Sequence, residues 1–256
     1  NNDNYKEVAV LYRSNAQSRV LEDAFISEGI PYRIYGGQRF YERMEIRNAL
    51  AYMRLVVNRA DDAAFERVIN TPPRGIGSKT LEVLRDLSRS HNASLWETIK
   101  LASEQGSLAT RSLTAISGFK NLIDELDTQV NSLPLEELVD CTIKSSGLLA
   151  YHGREAGEKG QARVENLEEL VSAAREFSPE MGGLSPLQQF VDAAALEAGD
   201  SQANDYEDSV QLMTLHSAKG LEFPLVILAG MEENLFPHER SSQGDQSEIE
   251  EERRLC

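Results

Sequence analysis

The sequence predicts an α/β fold in which a large α-helical insertion interrupts a sheet, and three observations carry that expectation. Short apolar runs of the buried-strand kind stand near both ends, at Val8 to Tyr12 and at Leu225 to Ala229. Between them, from Glu45 to about Ala198, apolar residues recur at three- and four-residue spacing, as in Ile46, Leu50, Met53 and Val57 or Leu81, Leu84 and Leu87. Strands on both flanks of one helical stretch imply a discontinuous domain whose two halves meet in space.

Taken in order, Val8-Ala9-Val10-Leu11-Tyr12 reads as a buried strand, Arg13-Ser14-Asn15 as a polar loop, and Val20, Leu21, Ala24 and Phe25 as a helix that Gly29 and Pro31 stop. A second strand follows at Tyr32 to Tyr35, before Gly36-Gly37. The helical stretch is broken at Thr71 to Gly77, at Leu133-Pro134 and at Ser178 to Pro186, where Pro, Gly and Ser cluster. Gly153 to Arg163 is polar and rich in Gly, and is expected to be a loop. Strands return at Val210 to Leu215 and Leu225 to Ala229, and 243–254 is highly charged. Tyr35, Phe40 and Tyr41 are expected in the core.

No apolar run approaches the roughly 20 residues of a membrane span, and the opening Asn1-Asn2-Asp3-Asn4 has no signal-like character. A cytoplasmic location without membrane partners is therefore expected. Two cysteines, Cys141 and Cys256, suggest neither a disulfide framework nor zinc. The net charge of −16 counts against a phosphate-rich partner, but it is unevenly spread. Residues 1–89 carry 14 basic against 12 acidic side chains, whereas the rest carries 12 against 30. Only the first third suits DNA.

Four stretches in order then become specific: VAVLYRSNAQSR, YRIYGGQRFYERMEIRNAL, TPPRGIGSKTLEVL and VQLMTLHSAKGLEFPLVILAGMEENLFP, with EEERRLC at the end. Together they resemble superfamily 1 DNA helicases of the UvrD/Rep/PcrA kind, closest to the UvrD branch, over nearly the whole length. The resemblance implies a partial RecA-like parallel sheet, subdomain 2A, at residues 1–33 and 207–256, flanking a mostly helical DNA-binding subdomain, 2B, at 34–206. It also implies part of an ATP-dependent 3′-to-5′ helicase of repair or replication. ATP and Mg²⁺ would be held largely by the first motor domain of the same chain, which this sequence does not contain. Repair proteins are possible further partners. Nothing here is assigned a catalytic or metal-binding role, and the family's transition-state arginine falls beyond Cys256.

The site residues are expected in three groups. Gly75-Ile76-Gly77-Ser78-Lys79-Thr80 looks like a phosphate loop, but Ser78 and Pro73 stand where glycines are needed. Its better reading is a tight hairpin whose backbone N–H groups and following helix N-terminus face a duplex phosphate, with Arg74 and Lys79 adding charge. The alternative is a helix-ending Gly and an N-cap Ser78 with no ligand. Arg39, Arg43 and Arg47, with Arg33 nearby, would make a basic stripe along duplex DNA if a helix begins near Arg39; Glu42 and Glu45 could equally neutralise it. By resemblance Arg13, Asn15, Thr214 and His216 would touch single-stranded DNA, Glu222 the nucleotide ribose, and Gly220 the terminal phosphates. For Arg13 and Asn15 the alternative is helix capping by Ser14 or Asn15. Glu250 to Arg254 alone reads as an exposed charged helix. A competing function is a stand-alone DNA- or protein-binding module descended from a helicase.

Overall fold

The computed structural model describes residues 4–199, 208–232, 235–236 and 250. The chain divides into two compact units, one from residues 1–43 and 197–256 and the other from 44–196. Residues 34–43 thus fall with the sheet.

In the first unit β1 (Val8–Tyr12) lies inside a four-stranded sheet that also contains β2 (Tyr32–Ile34), β3 (Val210–Thr214) and β4 (Leu225–Leu228), in the order β2-β3-β1-β4. All three neighbouring pairs are parallel, and Ala9 faces both Gln211 and Val226. The continuous apolar run of β1 reflects burial on both faces. Val10, Tyr12, Tyr32, Ile34, Val210 and Leu212 form one layer, under Leu21 and Phe25 of α1 (Ser18–Ser27). Ala9, Leu11 and Met213 form the other, under Leu215, Ala218 and Phe223. Past α1, Gly29 adopts the left-handed φ of +65°. β4 is an edge strand with all four residues exposed.

The second unit is all helix among the described residues. Its axis is α2 (Met44–Val57), whose Ile46, Ala49, Tyr52, Met53 and Leu55 are fully buried. Around it pack α3 (Asp62–Val68), α6 (Thr110–Gln129), α7 (Leu135–Ser145) and α9 (Glu158–Glu176). α4 (Ser78–His91) and α5 (Leu95–Glu104) pair with each other, and α8 (Leu148–His152) joins α7 to α9. α10 (Pro186–Gly199) closes the helical sequence. Helix starts are fixed locally: Asp61 accepts from the Ala64 amide, and Ser94 and Glu97 form a reciprocal capping box. Phe119 centres an aromatic cluster, 5.8 Å from Phe65, 6.5 Å from Trp96 and 6.3 Å from Tyr52.

Three expectations are corrected. Gly153 to Arg163 is not a continuous loop, because α9 begins at Glu158; a Cβ on Gly160 would lie 2.3 Å from the Glu155 carbonyl oxygen, so this glycine serves close packing. Tyr35 lies past the end of β2 and is exposed, whereas Phe40 and Tyr41 are buried. No helix runs from Arg39: a 3-10 turn spans Phe40–Glu42, and α2 starts only at Met44. Of the charged segment 243–254, all but Glu250 lies outside the described residues. Among the described residues no helix is long and apolar enough to cross a membrane, and no group of three side chains could hold a metal.

Truncating Phe119 to Ala should cost about 3–5 kcal/mol of unfolding free energy, because its fully buried ring fills the centre of that cluster. Denaturant titration followed by Trp96 fluorescence measures it, and a loss below about 1 kcal/mol would show that the site collapses around the cavity.

Candidate nucleic-acid interface

At the carboxyl edge of the sheet the register sets Tyr12 beside Thr214, so the loop after β1 and the loop after β3 start side by side. The pairing extends one step further, with the Leu215 amide donating to the Tyr12 carbonyl at 2.9 Å. The turn after β2 arrives at the same edge, where a Cβ on Gly36 would touch Ser217 Oγ at 3.6 Å. In open parallel sheets this edge is where ligands bind.

Arg13, Asn15, Thr214 and His216 are thereby brought to one edge, with Asn15 and His216 exposed. Ser14 caps the 3-10 helix Asn15–Gln17, and Gln17 Oε1 accepts from the Arg13 and Ser14 amides at 2.9 Å each. Gln17 packs so closely on Gly230 that a Cβ there would come within 2.3 Å of Nε2. The Thr214 hydroxyl is shared with Ser217, 2.9 Å from its Oγ and 3.2 Å from its amide. Gly220, at φ +85°, and Glu222 follow in the exposed connection to β4.

The expected stripe of Arg39, Arg43 and Arg47 does not form. Arg39 and Arg43 are buried around Glu22 in the sheet unit, each 3.8 Å from its carboxylate. Arg39 Nε donates to the Tyr32 hydroxyl at 3.0 Å, and Arg43 donates to the Asn15 carbonyl at 2.8 Å and to Ser18 Oγ at 2.5 Å. Ser18 Oγ and the Phe40 amide in turn donate to Glu22, at 2.6 and 3.2 Å. Burial raises the Glu22 carboxyl pKa, opposed by Ser18, Arg43, the Phe40 amide and Arg39. Arg47 alone is exposed, on α2. Its charge, after burial, lowers the pKa of Arg67, which donates to Asn48 Oδ1 at 3.1 Å. Sequence reading missed Arg67 because its neighbour is twenty positions away.

The Gly75 to Lys79 hairpin is held from within. Arg74 does not point outward: its guanidinium donates to the carbonyls of Val68 (3.2 Å), Pro72 (3.0 Å) and Ser146 (2.8 Å). It also lies 5.6 Å from the Tyr52 ring centre and 5.5 Å from that of Phe119. Asn70 Oδ1 accepts from the amides of Arg74 at 2.7 Å and Ile76 at 3.4 Å. Ile76 is buried between the exposed Gly75 and Gly77. Among the described residues the amides of Gly75, Gly77, Ser78 and Lys79 have no internal hydrogen-bond acceptor. Gly77, not Ser78, is the N-cap of α4, and no side chain caps the helix. Asn70 carried no sequence signal, since an asparagine near prolines reads simply as part of a turn.

A parallel sheet with polar loops gathered at its carboxyl edge and a helical unit inserted between its strands defines an α/β domain with a large helical insertion. The whole chain, residues 1–256, matches the UvrD-like helicase C-terminal domain family. The chain belongs to that family. It is 54% identical over 252 residues to DNA helicase II of Escherichia coli K12, covering 98% of this chain and 35% of the relative. Against DNA helicase II of Haemophilus influenzae the identity is 53% over 252 residues, covering 98% and 34%. Against the ATP-dependent DNA helicase PcrA of Staphylococcus aureus MRSA252 it is 38% over 263 residues, covering 100% and 35%. The chain thus spans about a third of the length of these relatives.

Replacing Glu22 by Ala should remove the carboxylate that both buried guanidinium groups face and destabilise the sheet unit by about 3–5 kcal/mol. Chemical denaturation tests this, and an unchanged transition would mean that the cluster is not a net structural tie.

Proposed function

We propose that this chain contributes duplex binding and part of the DNA- and nucleotide-coupling surface to an ATP-dependent 3′-to-5′ DNA helicase acting in repair or replication. The observation that carries the reading is the hairpin at Gly75 to Lys79. Asn70 takes up the amides of residues 74 and 76, which leaves those of Gly75, Gly77, Ser78 and Lys79 for a ligand at a helix N-terminus. Unpaired amides at such an end suit a phosphate oxygen and cannot read a base. Lys79 and Arg47 are the exposed cations of the sequence-derived duplex set, while Arg39, Arg43 and Arg74 act as structural ties.

The sheet edge supports the second half of the reading. Arg13, Asn15, Thr214 and His216 would follow a single strand across the edge, and Gly220 and Glu222 would meet the terminal phosphates and ribose of ATP. Their sharing of the β3 and β1 edge would let nucleotide state alter the grip on DNA. We assign residues 1–33 and 207–256 to subdomain 2A and 34–206 to 2B in the family's sense, although residues 34–43 group with the sheet. ATP hydrolysis itself requires a phosphate loop and Mg²⁺ ligands from the other motor domain. The chain alone is expected to turn over no ATP in the presence of DNA and Mg²⁺, and hydrolysis that co-purifies with it through successive columns would overturn this.

Duplex binding by the chain should be weak, indifferent to sequence and dependent on salt, with a log-log slope between roughly −2 and −3 for about two to three neutralised phosphates. A Cβ on Gly77 would meet nothing within 4 Å, so Gly77→Val should fold normally. It should obstruct the backbone approach and weaken duplex affinity about tenfold, the cost of one hydrogen bond to a charged group. Glu222→Ala should leave that affinity unchanged. Fluorescence anisotropy with labelled duplex measures both, and unaltered binding by folded Gly77→Val would reduce the hairpin to a structural turn.

A further inference from the structure

Beside the hairpin, in the helical unit, the surface opens into a cleft of about 680 Å³. One wall is Pro72 and Pro73, immediately before Arg74; the other is the α8 corner, with Ala150, Tyr151, Arg154 and Glu155. The walls are tied together at the base. Arg74 donates to the Ser146 carbonyl at 2.8 Å, and a Cβ on Gly147 would lie only 3.7 Å from Pro72. The hairpin and the α8 corner therefore keep one spacing.

The charges in the cleft are unequal in kind. Glu155 is fully engaged: Arg163 Nη1 lies 2.5 Å and His152 Nδ1 2.7 Å from its Oε1, and these contacts hold its carboxyl pKa below the ordinary value, His152 first. Arg154 is exposed, and among the described residues its guanidinium has neither hydrogen bond nor ion pair. A lining of prolines and alanine beside an exposed cation and a half-exposed tyrosine suits the sugar face and phosphate of a nucleic-acid backbone.

We propose that this cleft continues the duplex-binding surface, with Arg154 pairing with the phosphate next to the one held at Gly75 to Lys79 and the intervening deoxyribose lying against Pro72, Pro73 and Tyr151. The proposal rests on the duplex reading of the hairpin. Phosphates of one strand advance about 3.4 Å each along the duplex axis, and the cleft wall begins at Pro73, two residues before Gly75. Arg74, the residue directly before Gly75, also lines the cleft, so a backbone seated on the hairpin amides reaches it within one or two nucleotides.

The test uses the intact chain, a short mixed-sequence duplex and anisotropy titrations between about 50 and 200 mM salt. Arg154→Ala should weaken binding about three- to tenfold at the low-salt end and reduce the log-log slope by about one. Arg154→Glu should weaken it further, and circular dichroism should show both variants folded. Arg175→Ala removes another exposed cation from the last turn of α9, roughly 25 Å along that helix from its start, and should leave the slope unchanged. If Gly77→Val weakens binding while Arg154→Ala changes neither affinity nor slope, the cleft is not part of the interface and the hairpin reading stands. If Arg154→Ala lowers the slope and Gly77→Val does nothing, the hairpin reading fails and takes with it the placement of Arg154 on the neighbouring phosphate. Equal losses from Arg154→Ala and Arg175→Ala would mean diffuse attraction and overturn the cleft, and a parent chain that binds no duplex overturns both.

Discussion

The constraint on which this architecture depends is the parallel pairing of β1 with two strands some two hundred positions away, Ala9 with Gln211 on one side and with Val226 on the other. Closing so long a chain segment costs entropy before any ladder hydrogen bond forms, although that cost grows only with the logarithm of loop length. The inserted residues 44–196 form a compact unit with their own core around α2, so most of the intervening chain is ordered by its own contacts. The sheet can then be completed without ordering a coil. What the pairing gives in return is position: loops far apart in sequence share one edge.

A second theme is the division of arginines by solvent access. A guanidinium group taken out of water must find carboxylates, carbonyls or aromatic faces, because an unpaired buried charge is prohibitively costly. Arg39 and Arg43 find Glu22, Tyr32, Ser18 and the Asn15 carbonyl; Arg74 finds three carbonyls and two rings. Their contribution is rigidity in the backbone that others use. The ring of Tyr52, its hydroxyl pushed up to about 12 by burial, supports Arg74 from below while donating to the Thr71 carbonyl at 2.6 Å.

Much of the fold was legible because it rests on periodicity. The apolar run Val8 to Tyr12 and the Ile46, Leu50, Met53 spacing each describe one element's environment, and each element formed where its pattern lay. Fates set by a distant partner were not legible. Arg39, Arg43 and Arg47 stand at helical intervals, and nothing local reveals that Glu22 captures the first two or that helix begins only at Met44. Gly160 reads as looseness until the Glu155 carbonyl is seen against it. Asn70 is similar, since its role depends on a backbone path that exists only once the hairpin is closed.

The burial of the Glu22 cluster also separates two electrostatic systems that one ionic-strength experiment would otherwise confuse. Mobile ions screen charges that share the solvent with them, over a distance of about 10 Å at 0.1 M, and reach those sealed under protein far less. Lys79, Arg47 and Arg154 stand in the first environment; Arg39 and Arg43, a few per cent exposed, stand in the second. Concentrated salt should therefore strip any polyanion from the surface while the ion cluster that fastens the sheet persists, so that such release is reversible in a molecule that has kept its shape.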